Sequence, residues 1–373
     1  MKFVISSVDL LNQLQSAGKV IKPKNTLHAL DCFLFSLSNK KLTITASDLD
    51  TTITVYLDLD IAEGEGKIGI DARRLISTLK EFNEPLTFDI NTDNNSVEII
   101  STNGKYSLVG ISGDEYPEVP TINEDSEQKI TLTAETLLTT ISRTIFATSN
   151  DINRIIFGGI YFGFEKEKMV AAATDATILV RYRRKDITTD TPSNFILPNK
   201  PAGLLKAVLP KDDTSVEIIF DNKIAQIRFS TMTFICRLIE GTFPNFESII
   251  PINPPNKMLV DRTTLQAVLR RVGLYANQSI HLVRFDINNT ELVVSAQDNQ
   301  YSISALERMP CSYEGESMSI GFKSIFLYEI LDNLPGDEVL FEISEPSRAV
   351  LLLPTKVENE NEDILSLIMP TGL

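Results

Sequence analysis

One strand–turn–strand phrase is written three times in this chain. Residues 41–55 read KLTITASDLDTTITV, residues 168–182 read KMVAAATDATILVRY, and residues 291–305 read ELVVSAQDNQYSISA. They superpose without a gap, and the turn aspartates Asp48, Asp175 and Asp298 stand 127 and 123 residues apart. Apolar–polar alternation with a period of two is the mark of a half-buried strand. A repeat of about 125 residues is the size of a domain, far longer than a solenoid unit. The 373 residues are therefore expected to form three similar globular domains.

Other features keep the same period. Each copy opens with a short strand and an apolar-periodic helix: FVISSVDLLNQLQ, KITLTAETLLTTISR and MLVDRTTLQAVLRR. Leu11, Leu138 and Leu265 are 127 residues apart at each step, and a Ser, Thr or Asp ahead of each apolar run offers a helix N-cap. A second strand-to-helix unit recurs at 67–82, 194–210 and 317–334. Tyr116-Pro117 and Phe243-Pro244 end the first two copies, again 127 apart. Polar PTINEDSEQK and proline-rich PINPPNK mark the seams. The expectation is an α+β chain with domains at 1–122, 123–253 and 254–373, each holding two helices and a set of short strands. The acidic stretch 357–363 is expected to be a solvated loop before the last strand.

Composition excludes several classes. At 43% hydrophobic and 23% charged the chain is ordinary globular protein. No apolar run is long enough to cross a bilayer, and the MKFVISSVDLLNQ start has no signal-peptide character, so a cytoplasmic protein is expected. Cys32, Cys236 and Cys311 are odd in number, far apart and outside any CxxC spacing, as reduced thiols would be. His28 and His281 follow no metal spacing and build no nucleophile–histidine pair. No phosphate-binding glycine motif is present. The three aspartates fall in separate repeats and read as turn residues bonding their own backbone. Neither an enzyme nor a metal or cofactor site is expected.

The net charge of −15 argues against nucleic acid only if the charges are mixed. They are not. The helix windows 7–19, 72–80, 134–147, 200–209, 262–275 and 323–333 carry eleven Lys and Arg against four Asp and Glu; the rest of the chain carries 24 against 46. Helices gathered on one side would make that side positive and suit a polyanion.

Taken together, the MKF start, the threefold repeat, Thr174-Asp175, GTFPNF at 241–246 and the C-terminal LSLIMPTGL resemble the bacterial sliding-clamp family, the β subunit of the replicative DNA polymerase. The resemblance spans the whole chain. It implies two chains joined head to tail in a ring that encircles duplex DNA. Such a homodimer tethers the polymerase, the clamp loader and other clamp-binding proteins as a processivity factor. Twelve helices side by side at about 9–10 Å enclose a bore of about 25 Å, wide enough for a hydrated duplex.

By position the resemblance implies DNA contacts at Lys24, Arg73, Arg74, Lys80, Arg154, Lys200 and Lys206, with Arg143, Arg270 and Arg271 added on the charge pattern. It implies a peptide cleft at Phe157, Thr174, Ala176, Thr177, Ile178, Leu179, Pro244, Ser248, Ile249, Leu367, Met369, Pro370 and Thr371. It implies a dimer contact of Lys105, Tyr106 and Leu108 with Leu274 and Tyr275. Where the family has TDGHRL this chain has TDATIL, and Gly372 replaces a basic residue, so the cleft is expected to be more apolar. With few acids in DNQYSISALE, so is the dimer contact. The other reading of the same pattern is a three-domain peptide-binding scaffold without DNA.

Overall fold

The computed structural model describes residues 1–123, 127–357 and 359–373; the centre of the first seam (124–126) and position 358 of the acidic stretch lie outside them. By packing, the chain divides into two units, Met1–Leu138 with Gly203–Leu238, and Thr139–Ala202 with Ile239–Leu373.

The described residues form six α-helices: α1 (Ser7–Ala17), α2 (Ala72–Leu79), α3 (Ala134–Thr144), α4 (Asn199–Val208), α5 (Arg262–Gly273) and α6 (Ser324–Asn333). The caps sit where the repeats put them. Ser6 accepts from the Asp9 amide and Asp261 from the Thr264 amide, and the Thr133 hydroxyl accepts from the Thr136 amide. Each helix buries residues three and four apart, such as Leu10 and Leu14 in α1 or Leu265, Val268, Leu269 and Val272 in α5. Those stripes rest on strands whose inward residues are large and fully buried, among them Phe3, Phe33, Phe35 and Phe88 in the first copy.

Each unit holds one nine-stranded antiparallel sheet and one smaller sheet, of five strands in the first unit and four in the second. The nine-stranded sheets are composite. In the first, the second motif strand of copy one, Thr51–Asp58, pairs antiparallel with the closing strand of copy two, Met232–Arg237. In the second, the second motif strand of copy two, Ile178–Arg184, pairs antiparallel with the closing strand of copy three, Glu362–Ile368. Among the described residues, two strands of these kinds are left over. The second motif strand of copy three, Ile303–Pro310, pairs only with Glu291–Asp298 and forms one edge of the four-stranded sheet. The closing strand of copy one, Lys105–Val109, pairs only with Ser96–Ile100 and forms an edge of the five-stranded sheet.

The motif turns are held as their composition suggests. Asp48 Oδ1 accepts from the amides of Asp50 and Thr51, and Asp175 Oδ1 from those of Thr177 and Ile178. Asp298 Oδ1 accepts from the Gln300 amide, while its Oδ2 takes the Asn277 side chain. Cys32 and Cys236 are buried, and burial raises their thiols to about 11 and about 12, so they stay protonated at neutral pH. Within the acidic stretch, Glu362 and Asp363 belong to the last strand rather than to the expected loop. They are drawn in by arginines on the neighbouring strand, Asp363 by Arg181 and Arg183 and Glu362 by Arg184.

Candidate functional site

Each unit packs two helices side by side, and a long polar side chain ties a third helix to the pair. In the first unit α1 packs beside α2. Just past the end of α1, Lys19 donates to the Ala207 carbonyl at the end of α4, 2.6 Å away. In the second unit α5 packs beside α6, and Arg143 of α3 donates to the Asn333 carbonyl that ends α6, at 2.6 Å. Arg262 adds bonds to the carbonyls of Leu331 and Gly336. Guanidiniums at a helix C-terminus satisfy carbonyls that the helix itself leaves open and oppose its dipole.

The basic residues therefore divide. Lys24, Arg74, Lys80, Lys200 and Lys206 are exposed and, among the described residues, have no ion-pair partner. Arg73 is exposed and donates to the Pro23 carbonyl, so it is tied to the loop that carries Lys24. In the same loop Lys22 pairs with Asp48 at 2.8 Å, and that hydrogen bond raises its ammonium above the ordinary lysine range. Arg154 is exposed with Asp151 nearby at 3.6 Å. Arg270 lies over the Tyr328 ring, 5.2 Å from its centroid. Two expected DNA contacts are otherwise engaged. Arg143 caps α6, and Arg271 forms a two-pronged pair with Glu307 at 2.7 and 2.6 Å. Charge counting treats all helix arginines alike and cannot see these partners.

The cleft residues converge within the second unit. Phe157, half-buried, meets Phe243 edge-on, and Phe243 packs with Tyr161 and Phe246. A single 3-10 turn, Phe246–Ile249, follows Pro244 and presents Ser248 and Ile249 outward; Ile249 is 55% exposed. Met369, 40% exposed, and half-buried Pro370 and Thr371 come from the chain end. Ala176 is exposed, with Thr177 beside it. Below them Ile178, Leu179 and Leu367 are closed over: Leu179 and Leu367 join Leu351 and Leu365 in a buried cluster capped by Phe246 and Ile250. Thr174 is buried too, its hydroxyl donating to the Ile178 carbonyl at 2.6 Å. Thr174, Leu179 and Leu367 are cross-strand partners that share the face covered by Phe246 and Ile250, whereas Ile178 pairs with Ile368 on the opposite face.

The C-terminal residues are held rather than free. The Met369 amide donates to the Thr177 carbonyl at 2.9 Å and the Thr371 amide to the Gly321 carbonyl at 2.8 Å. Gly321 is required there, because a Cβ would stand 2.4 Å from the Thr371 oxygen. Close by, Glu329 on α6 is pushed above the usual carboxylate range, chiefly by burial and then by Asp175.

On the dimer residues, Lys105, Tyr106 and Leu108 lie on the open closing strand, where Val109 is 83% exposed. Leu274 and Tyr275 are exposed just past α5, off the other open edge. That edge strand itself exposes Ile303 and Leu306, which the resemblance does not name. The signal was available: they belong to the third copy of a strand whose first two copies pair with a closing strand.

Three copies of one α+β unit, joined twice by pairing of a second motif strand with the next closing strand, define a class of repeat protein with composite sheets. Family models identify which. The N-terminal, central and C-terminal domains of the DNA polymerase III beta subunit match residues 1–120, 131–245 and 247–372, and the chain belongs to that family. It is similar to the beta sliding clamps of Pseudomonas putida, at 24% identity over all of both chains, and of Bacillus subtilis, at 25% over 99% of each. A crystal structure of the Pseudomonas aeruginosa clamp bound to griselimycin superposes with a TM-score of 0.92 at 22% identity, covering all of both chains. The Bacillus subtilis clamp gives 0.91 at 23%, over all of this chain and 99% of that one. Members of the family are sliding clamps: non-catalytic processivity subunits that encircle DNA, dimerise and bind the polymerase and other partners. The chain is accordingly a clamp and not an enzyme, and the DNA-free scaffold reading is not favoured.

Proposed function

We propose that two copies of this chain close head to tail into a ring around duplex DNA, with the three repeats at 1–122, 123–253 and 254–373 acting as its domains. The supporting observation is the repeated junction. Twice within the chain a second motif strand of one copy pairs with the closing strand of the next. A third junction of the same kind, Ile303–Pro310 of one chain against Lys105–Val109 of another, would leave neither strand open. Such a contact is heterologous, as ring formation requires, and it covers sheet edges that are otherwise prone to aggregation. Tyr106, Leu108 and Val109 would meet Ile303 and Leu306, with Leu274 and Tyr275 at the margin.

Lys24, Arg73, Arg74, Lys80, Arg154, Lys200, Lys206 and Arg270 are read as the phosphate-facing set, supported by their exposure and by the side-by-side helices. Phosphate contacts carry no sequence information, so the ring slides. Arg143 and Arg271 hold the frame on which that set is mounted. The cleft around Phe157, Ala176, Thr177, Pro244, Ser248, Ile249, Met369, Pro370 and Thr371 is read as the dock for a short hydrophobic tail of the polymerase, the loader and other partners. In it Thr174, Ile178, Leu179 and Leu367 form the floor. Acting on the chromosome, the clamp belongs to the bacterial cytoplasm.

The test is retention on DNA. Loaded onto a circular duplex, the protein should co-elute with it and be lost when the circle is cut, and its mass in solution should be twice the 41.6 kDa chain. Retention that ignores linearisation would overturn the ring. Ile249→Ala with Met369→Ala should abolish binding of the polymerase tail while leaving the mass unchanged; loss of the dimer instead would make these residues framework.

A further inference from the structure

On the face of the second composite sheet that Leu179 shares lies an ionic cluster that reaches beyond one strand pair to a turn. Arg181 and Arg183 are two apart on Ile178–Arg184 and so share a face. Arg181 donates to Glu247 and to Asp363, both at 3.1 Å; Arg183 donates to Glu247 at 2.6 Å and to Asp363 at 3.4 Å. Charges alternate around a closed four-membered ring. Three members come from one strand pair, in which Arg183 and Asp363 are direct cross-strand partners. The fourth, Glu247, comes from the 3-10 turn Phe246–Ile249. Arg181 is nine-tenths buried, so its pairs are screened less by solvent than surface pairs are.

We infer that Glu247 is a positioning residue for the peptide cleft, an inference that rests on the cleft reading above. The turn Phe246–Ile249 is one cleft wall, and it is short: within it Ser248 donates to the Asn245 carbonyl, and among the described residues no other side-chain bond lies inside the turn. Two anchors fix it over the sheet. Phe246 and Ile250 sink into the buried Leu179, Leu351, Leu365 and Leu367 cluster. Between them Glu247 plugs into the two arginines. Apolar contacts are non-directional and allow the turn to slide, whereas two charge-assisted bonds from one carboxylate set its position and rotation. Those bonds decide where Ser248 and Ile249 point. Glu247 touches no docked peptide; it acts through the wall.

The experiment measures binding of a fluorescein-labelled peptide copying the C-terminal tail of the polymerase from the same cell to the intact dimer. Glu247→Gln, isosteric and uncharged, should weaken it about fivefold, with mass and melting temperature unchanged. Binding to the original protein should weaken about threefold as salt rises from about 0.05 to 0.5 M, and binding to Glu247→Gln should not. Arg183→Gln should weaken binding similarly. The double variant should lose no more than the worse single one, the signature of residues acting as one unit. Equal affinity of Glu247→Gln and the original protein across the salt range would overturn the inference, as would additive losses. Failure of the original protein to bind the tail would instead overturn the cleft reading itself.

Discussion

Replacing Leu306 by aspartate should open the ring, and the size of the effect follows from the open edge. Leu306 sits on Ile303–Pro310 and is 58% exposed. Fully burying a leucine is worth about 1.5–3 kcal/mol, so covering its exposed part contributes about 0.9–1.7 kcal/mol. A ring of two chains contains the contact twice, about 2–3.5 kcal/mol in all, which raises the dissociation constant about 20- to 300-fold. Aspartate adds the cost of desolvating a charge beside Glu307, so these are lower limits. Sedimentation velocity over a dilution series reads the result directly, as the shift from twice 41.6 kDa toward the single chain. Ile252→Asp, at an exposed isoleucine off both open edges, is the control. If Leu306→Asp dissociates no more readily than Ile252→Asp, the third junction is not where the ring closes.

Three further outcomes are expected. Gly321→Ala drives a Cβ into the Thr371 oxygen and should break the Thr371–Gly321 hydrogen bond; losing about 1 kcal/mol of tethering, the tail should be trimmed by carboxypeptidase about fivefold faster, and an unchanged rate would refute it. Ala176 has φ 75° at a motif turn, so Ala176→Gly should stabilise the fold by about 0.5–1 kcal/mol in denaturant melts, since left-handed strain in alanine outweighs the entropy of glycine. Asp261 is held below the usual carboxylate range by the hydroxyl and amide of Thr264 and by Thr263. Its cap is therefore fully present above its unfolded pKa and lost as pH falls through the lower folded one. Asp261→Ala should accordingly cost about 1 kcal/mol at pH 7 and progressively less in melts below about pH 4.

What the residues disclosed on their own was periodic or local. Six helices follow from apolar spacing, as do the Ser6, Thr133 and Asp261 caps of the opening helix in each copy, and the turn aspartates follow from their flanking strands. What stayed hidden was pairing at long range. Arg143 counts as a free helix cation until the Asn333 carbonyl, 190 residues away, takes up its hydrogen bond. Glu362 and Asp363 look like loop until Tyr182 and Arg183, each 180 residues earlier, draw them into a sheet. Leu179 and Leu367 match a binding motif position by position, yet Phe246 and Ile250, from a segment about 70 residues after the strand of Leu179, close over them. The open edge at 303–310 was readable in principle, because the repeat that locates it was already visible.

The mating rule between repeats counts no further than one. A string of any number of such units has one unmated strand of each kind, and only a circle has none. How many units one gene encodes is then a free choice: the same circle could be assembled from shorter or longer polypeptides, provided the total and the bend per unit agree. A single unit released from this chain would keep both unmated strands, and would link into open strings wherever its curvature failed to bring the last back to the first.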